Sequence, residues 1–223
     1  MTTILSTKKI GKWAIQKAKK ANLKLIQKNF IKIQAIDFKL NKVNNHIIFT
    51  SLNALKIVLK SAEKDILKEK KIFCVGIKTQ KLLEKKKYHV EACFDYAEDV
   101  ANLISKDYNK QSFTFFSGNI RKNTLPDNLS KNNIIFNEIV VYQTHLQPKK
   151  VEHKLNAILF FSPSAIESYL TKNEIKDEIC FCIGKTTATE LASRLDVKKS
   201  KNILVAKKPT FKNVIKQAIN HLK

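Results

Sequence analysis

Ile158-Leu-Phe-Phe-Ser-Pro-Ser-Ala-Ile-Glu-Ser-Tyr169 joins a solid apolar run to a polar turn and then to a run with helical periodicity. Residues 157–161 predict a buried strand, and Ser162-Pro163-Ser164 predicts a tight turn. Apolar residues then recur at positions 165, 166, 169 and 170, which is typical of a helix capped by a hydroxyl. The free backbone N–H groups at such a helix start favour an anion.

The same strand, turn and helix pattern recurs at Phe181-Cys-Ile-Gly-Lys-Thr-Thr-Ala188 and twice in the first half of the chain. There, His46-Ile-Ile-Phe-Thr-Ser-Leu-Asn-Ala-Leu55 resembles the first stretch, and Phe73-Cys-Val-Gly-Ile-Lys-Thr79 resembles the second. The aligned pairs are Ser51 with Ser162, Asn53 with Ser164, Ala54 with Ala165, Gly76 with Gly184, and Thr79 with Thr187. A repeat of about half the chain predicts two similar domains, and its hydroxyl-lined turns suggest a ligand cleft between them.

The formal net charge is +23 in 223 residues, and residues 1–45 hold eleven lysines but one acid, Asp37. Such a charge favours a polyanionic partner, either nucleic acid or a small polycarboxylate or phosphate. Lysines on solvated helix faces explain the charge equally well. The charge alone therefore identifies no partner.

The composition, 43% hydrophobic and 27% charged, is that of an ordinary globular protein. Because there is no membrane-length apolar run and no signal peptide, we expect a cytoplasmic protein without a membrane partner. The cysteines lack CxxC spacing, and we interpret them as core residues in a reducing compartment. The five histidines show no ligand spacing, so no metal site is predicted.

Strand-like and helix-like segments alternate along most of the chain, which predicts parallel sheets covered on both faces. Residues 30–40 and 137–144 instead alternate apolar and polar, like half-exposed strands. We predict an α/β protein with two doubly wound parallel-sheet domains joined by a two-stranded antiparallel linker. The predicted domains are residues 1–29 with 148–223, discontinuous, and 40–137, inserted; the linker strands are 30–39 and 138–147. Such a hinge would permit domain closure over a ligand.

Gly76, Gly118 and Gly184 each follow a predicted strand, and the chain has only four glycines. Ligands of doubly wound sheets bind at such strand ends. A glycine there is also a plain requirement of a strand-to-helix turn.

Short motifs along nearly the whole chain, in this order, resemble the uroporphyrinogen-III synthase family. They are Ile4-Leu-Ser-Thr7, Ile48-Phe-Thr-Ser-Leu-Asn-Ala54, Val75-Gly-Ile-Lys-Thr79, Phe116-Ser-Gly-Asn-Ile-Arg121, Glu138-Ile-Val-Val-Tyr-Gln-Thr144, Phe161-Ser-Pro-Ser-Ala165, Ile183-Gly-Lys-Thr-Thr-Ala188 and Val205-Ala-Lys-Lys-Pro-Thr210. The resemblance implies two α/β domains joined by a β-ladder, with the substrate in the cleft.

The resemblance also implies the reaction: hydroxymethylbilane is cyclised to uroporphyrinogen III and water in haem biosynthesis, without a metal or organic cofactor. The substrate loses a hydroxyl to leave a cationic azafulvene, and the far pyrrole attacks through its substituted carbon. The resulting spiro intermediate fragments and closes again with ring D inverted. Because closure without inversion occurs readily in water, the protein must mainly hold a geometry.

Tyr142 matches the tyrosine of the family's Val-Tyr-x-Thr motif and is the predicted catalytic residue. Its phenol could donate a proton to the leaving oxygen. The alternative interpretation is that its ring only packs the domain junction.

Hydroxyls and helix-start amides suit the carboxylates of the substrate, although for each residue alone a helix cap is the commoner role. Many members of the family carry arginine at the position of Asn53, so a lysine elsewhere would have to supply that charge. The predicted substrate-binding residues are Ser51, Asn53, Thr79, Ser117, Gly118, Asn119, Arg121, Ser162, Ser164, Lys185, Thr186 and Thr187.

An alternative function is a non-catalytic two-lobed α/β protein that binds a polyanion, either nucleic acid or a small polycarboxylate. A nucleic-acid reader should interleave aromatic residues with lysines on a strand face, and no such motif is present. We therefore expect a small-molecule substrate, no specific nucleic acid and, without an obvious apolar helix face to cover, a monomer.

Overall fold

A computed structural model describes residues 1–196 and 200–223. The chain divides into two compact units, residues 1–32 with 145–223 (the first unit) and residues 33–144 (the second unit). The described elements are, in chain order, β1 (Thr3–Ser6), α1 (Lys12–Lys19), β2 (Lys24–Gln27), β3 (Ile31–Ala35), β4 (His46–Phe49), α2 (Leu52–Val58), a 3-10 helix (Lys64–Leu67), β5 (Lys71–Val75), α3 (Ile77–Lys85), β6 (Val90–Phe94), α4 (Ala97–Asp107), β7 (Ser112–Gly118), α5 (Thr124–Lys131), β8 (Ile135–Leu146), β9 (Ala157–Phe160), α6 (Pro163–Leu170), β10 (Ile179–Cys182), α7 (Lys185–Ala192), β11 (Ile203–Val205) and α8 (Phe211–Leu222).

The first unit is built on a five-stranded sheet in the order β2-β1-β9-β10-β11, with every neighbouring pair parallel. Strand β9 is buried on both faces, because Ala157 and Leu159 pack into one hydrophobic cluster while Ile158 and Phe160 pack into another. That is why its sequence is a solid apolar run. The strand order reverses direction between β1 and β9, which makes this pair the topological switch point of the sheet.

The second unit is built on a six-stranded sheet in the order β3-β8-β7-β4-β5-β6. The five strands β8, β7, β4, β5 and β6 all run parallel to one another. Its central strand β4 is likewise buried on both faces, with Ile47 and Phe49 in one cluster and Ile48 in the other. The strand order here reverses between β4 and β7. The switch point of this sheet therefore lies where Ser51 follows β4 and Gly118 ends β7.

The edge strand β3 pairs with β8, and two backbone hydrogen bonds give its direction. The amide of Ile36 donates to Val141 O at 3.2 Å, and the amide of Gln147 donates to Phe30 O at 2.8 Å. Since the partner residue number falls as the β3 number rises, the pair is antiparallel. Apart from this antiparallel edge pair, the neighbouring strands of both sheets are parallel. The predicted α/β fold class with parallel sheets is confirmed.

Two details of the strand prediction were wrong. The alternation over 30–40 forms a strand only as far as Ala35, because Phe38 packs against the core of the second unit and Leu40 lies within it rather than along a partner strand. The alternating run 137–144 is not a separate strand that only links the domains. It is part of one strand of 12 residues, β8, which pairs with both β7 and β3.

Strand β8 carries a bulge immediately before Tyr142. Ser117 pairs with Val140, but Gly118 pairs with Tyr142, so Val141 is an extra residue. Val141 and Tyr142 are consequently both buried in the same cluster, although neighbours in a regular strand face opposite sides. The bulge turns Tyr142 toward α2.

The described helices include none that is long and apolar enough to cross a membrane. All four cysteines are free, and Cys74, Cys180 and Cys182 are buried. Burial raises the pKa of each of these three thiols above its ordinary value.

Candidate active site

Ser51 and Tyr142 meet at the switch point of the second unit, where the Ser51 Oγ lies 3.1 Å from the Tyr142 Oη. Ser51 is the N-cap of α2, and its Oγ accepts hydrogen bonds from the amides of Asn53, at 3.2 Å, and Ala54, at 3.5 Å. The same hydroxyl therefore caps a helix and contacts the phenol. Two residues predicted separately for binding and catalysis are in contact.

The absence of a side chain at Gly118 leaves space for the Tyr142 ring. A Cβ at position 118 would come within 2.3 Å of the Tyr142 Cε2 and Cζ atoms, a distance that real side chains do not reach. Gly118 is the last residue of β7 and has no positive φ, so turn geometry does not explain this glycine. Its role is to leave space for the ring. Gly76 differs, because its φ of +86° is a backbone conformation that favours glycine.

Burial raises the pKa of the Tyr142 phenol above its ordinary value, and the hydrogen bond with Ser51 offsets part of this effect. The side chain is 7% exposed. A phenol with a raised pKa stays protonated at neutral pH. Tyr142 is thus a hydrogen-bond donor in a largely dry site, and the same burial makes it a weaker acid than an exposed tyrosine.

Asn119 and Arg121, which follow β7, form hydrogen bonds with residues of β8. Asn119 donates its backbone amide to Tyr142 O at 3.1 Å, and its Oδ1 accepts from the Thr144 amide at 2.7 Å. Arg121 donates Nε and Nη2 to the two carboxylate oxygens of Glu138, at 2.8 and 2.6 Å, and also bonds Asn123. In this structure both side chains make intramolecular bonds that fix the strand ends.

The partner of Arg121 is a residue that sequence reasoning missed. The guanidinium holds the pKa of the Glu138 carboxyl below its ordinary value, and the Ser117 hydroxyl adds a smaller effect in the same direction. The Ser117 Oγ is buried without a well-formed hydrogen bond among the described residues. Opposite charges just after β7 and on β8 were the available signal, but the register of the two strands is not visible in a sequence.

The first unit repeats the turn geometry of the second. The Ser162 Oγ caps α6 by accepting from the Ala165 amide at 3.2 Å, as Ser51 caps α2. The Thr187 amide donates to Gly184 O at 3.1 Å, as the Thr79 amide donates to Gly76 O at 2.9 Å. Thr79 and Thr187 are both nearly buried, at 2% and 3% exposure. The internal repeat thus extends to individual hydrogen bonds.

The remaining predicted residues of the first unit lie at the same sheet edge. Ser164 is in the first turn of α6 and buried, whereas Lys185 and Thr186 open α7 and are exposed. Strands β9 and β10 are neighbours, so both helix starts lie along one edge. Exposed groups and helix-start amides of this kind favour anions.

Ser6, Thr7 and Lys8, at the switch point of the first unit, were not predicted as site residues. The Thr7 Oγ1 donates to Leu159 O at 2.8 Å, and the Ser6 Oγ donates to Lys8 O at 2.5 Å. The Lys8 Nζ lies 5.2 Å from the centre of the Phe211 ring. Their position at the carboxyl end of the first strand was the signal that could have identified them.

The described residues include no group of three or more histidine, cysteine, aspartate or glutamate side chains that could hold a metal ion. The polar groups at both sheet edges are hydroxyls, amides, lysines and one phenol. Groups of these chemical types can bind anions or donate protons.

The two parallel-sheet units, with capping hydroxyls and helix starts at their strand ends, define a doubly wound α/β protein. Proteins of this class generally bind their ligands at the strand ends. The sequence matches the family model described as uroporphyrinogen-III synthase HemD over residues 15–216. The chain therefore belongs to the uroporphyrinogen-III synthase family. No curated protein sequence matches it significantly.

Solved structures of this family share the fold. The uroporphyrinogen-III synthetase of Helicobacter pylori is 20% identical and superposes with a TM-score of 0.69, covering 99% of this chain and 100% of that chain. A mutant uroporphyrinogen III synthase of Thermus thermophilus is 10% identical with a TM-score of 0.70, covering 100% of both chains. The wild-type Thermus thermophilus protein in another crystal form is 11% identical with a TM-score of 0.56, covering 100% of this chain and 98% of that chain.

Proposed function

We propose that this protein cyclises hydroxymethylbilane to uroporphyrinogen III and water with inversion of ring D, in haem biosynthesis, with Tyr142 as the proton donor. The observation that carries the assignment is the family match over residues 15–216. Lyase-type cyclisation is the known reaction of that family. The contact between Ser51 and Tyr142 at a sheet switch point supports the choice of residue.

Tyr142 is suited to assist loss of the hydroxyl that leaves the azafulvene cation. The phenol carries its proton at neutral pH, and the leaving oxygen would accept that proton as the C–O bond breaks, which leaves a phenolate beside the Ser51 hydroxyl. Ser51 is placed to orient the phenol through the 3.1 Å contact. Re-closure then depends on holding the chain of pyrroles in the geometry that gives the spiro intermediate.

The acetate and propionate groups of the substrate are proposed to lie against the helix starts at the two sheet edges. Ser162, Ser164, Lys185, Thr186 and Thr187 serve in the first unit. Ser51, Asn53 and Thr79 serve in the second. Helix-start amides and hydroxyls favour carboxylates, and the net charge of +23 attracts them. Ser117, Gly118, Asn119 and Arg121 support the site through Tyr142 and the end of β7.

Product analysis tests the assignment. Hydroxymethylbilane is generated in situ, the protein is added, the products are oxidised, and the porphyrin isomers are separated by chromatography. We expect mostly isomer III. Only isomer I, the outcome without a catalyst, from a folded sample would refute the enzyme. The non-catalytic polyanion binder would then be tested by salt-sensitive binding to DNA or RNA.

We further propose that the protein acts as a monomer in the cytoplasm. Its four cysteines are free, and three of them are buried, which is typical of proteins from reducing compartments. Sedimentation velocity tests the oligomeric state, and cell fractionation tests the location.

A further inference from the structure

A cavity of about 540 Å³ lies within the second unit, between α2 and the segment that contains and follows β3. Pockets that bind small molecules are commonly about 300–1,000 Å³ in volume. Its walls include the apolar side chains of Ile33, Phe38 and Ile57. All three also pack against the buried core of the unit, so that core holds the walls in place.

Two lysines line this cavity from one face of α2. Lys56 lies in the last turn of the helix, and Lys60 follows one turn later, where Leu59 keeps helical dihedral angles (φ −66°, ψ −11°). Both are exposed, and neither forms an ion pair within the part of the chain that the structure describes. Like charges one helical turn apart repel each other, so an anion between them lowers the free energy.

The cavity adjoins the contact between Ser51 and Tyr142. Asn53 lines the cavity, and its backbone amide donates to the Ser51 Oγ. On the opposite wall, the Ile36 amide donates to the carbonyl of Val141, the residue before Tyr142. A ligand that reaches the phenol could therefore extend into the cavity.

We propose that this cavity holds a pyrrole ring of the substrate and that Lys56 and Lys60 recognise its acid side chains. The inference rests on the proposed function and adds a subsite to it. The apolar walls suit the faces of the ring, and the lysines at one wall suit its acetate or propionate. Asp37, an exposed acid of the same lining, repels those groups and limits their affinity.

Binding of uroporphyrin III, the stable oxidised form of the product, tests the subsite. Fluorescence titration compares the wild type with the double variant Lys56→Gln/Lys60→Gln. We expect the double variant to bind roughly tenfold more weakly, since each exposed lysine contributes about two- to fivefold. Asp37→Asn should change affinity in the opposite direction, tightening binding by about twofold. In turnover of hydroxymethylbilane, the double variant should raise KM and leave kcat unchanged.

Lys106→Gln is the matched control, because Lys106 is also an exposed lysine in the last turn of a helix of the same unit. It should shift the affinity less than twofold. The subsite would be overturned if the double variant and the control bound uroporphyrin III with equal affinity, or if the wild type did not bind it. If isomer III is still formed in either case, the proposed function holds without the subsite. If the wild type gives only isomer I but the double variant alone loses affinity, the proposed function fails and the subsite stands.

Discussion

Tyr142 owes its position to two neighbours that have no acid or base chemistry, Gly118 and Val141. The bulge at Val141 turns the tyrosine toward α2, and the missing side chain at 118 leaves space for its ring. Ser51 then holds the phenol oxygen at 3.1 Å. At the scale of single residues, the candidate catalytic group is thus positioned by backbone geometry.

Tyr142→Phe removes the hydroxyl of the proposed proton donor and keeps the ring. We expect kcat for isomer III to fall by roughly 10²-fold, at the low end of general acid catalysis, with KM nearly unchanged. The product ratio and initial rates measure this effect. Ser51→Ala is the companion variant: it keeps the phenol and loses its partner, so it should lower kcat less. An unchanged kcat in Tyr142→Phe would remove the tyrosine from the mechanism and leave the enzyme assignment intact.

Gly118→Ala places a methyl group against the Tyr142 ring, so either the ring or strand β7 must move. Overpacking of this kind costs about 1–3 kcal/mol of the free energy of unfolding, which urea denaturation measures. Activity should fall as well, because the phenol is displaced from Ser51. Gly184→Ala is the control, since its Cβ would lie 4.0 Å from the nearest atom, a Pro209 carbon. Equal losses of stability in the two variants would contradict the argument.

At the scale of elements, strands β4, β5 and β7 and the end of α4 bring His46 into an aromatic cluster with Phe73, Tyr108 and Phe113. Burial, followed by the charge of Lys71, lowers the pKa of His46 below its ordinary value of 6.5, although Glu91 and a hydrogen bond with the Ser112 backbone act in the opposite direction. The folded state therefore binds this proton less tightly than the unfolded state. Protonation of His46 accordingly favours unfolding.

The free energy of unfolding should consequently fall as the pH drops below about 6.5, and this contribution should level off below the folded pKa of His46. His46→Phe should flatten the pH dependence in that window, as measured by urea denaturation at a series of pH values. Glu91 and Glu138 have lowered pKa values, so their contributions are lost only below pH 4.5 and separate from that of His46. An unchanged slope near pH 6 in the variant would contradict the assignment.

The sequence allowed the elements to be predicted well where one physical signal dominates. Solid apolar runs predicted β4 and β9, because both strands are buried on both faces. The helix starts at Ser51 and Ser162 followed from their capping hydroxyls. The bulge in β8 could not be predicted, because one extra residue leaves no trace in an apolar run. The pairing of Arg121 with Glu138 depends on strand register, which only the folded sheet defines.

At the scale of the whole molecule, the feature that requires a functional explanation is the net charge of +23. A substrate with a carboxylate on every side chain is attracted by such a field over distances of about one Debye length, roughly 8 Å at 0.15 M salt. Attraction acts on the encounter with the substrate, whereas the proposed proton transfer at Tyr142 would take place in a buried site. Salt should therefore change capture of the substrate and leave its conversion nearly unaffected.

We expect kcat/KM for hydroxymethylbilane to fall on the order of tenfold between about 0.02 and 0.5 M NaCl, while kcat stays within about twofold. Initial rates across the salt series measure both constants. Far-ultraviolet circular dichroism at each salt concentration controls for unfolding. A kcat/KM independent of salt would mean that the lysines are a solvated background without a role in capture. If duplex DNA competes with the bilane at low salt but not at 0.15 M, the field is a general polyanion attractor, and selectivity must come from the strand-end groups.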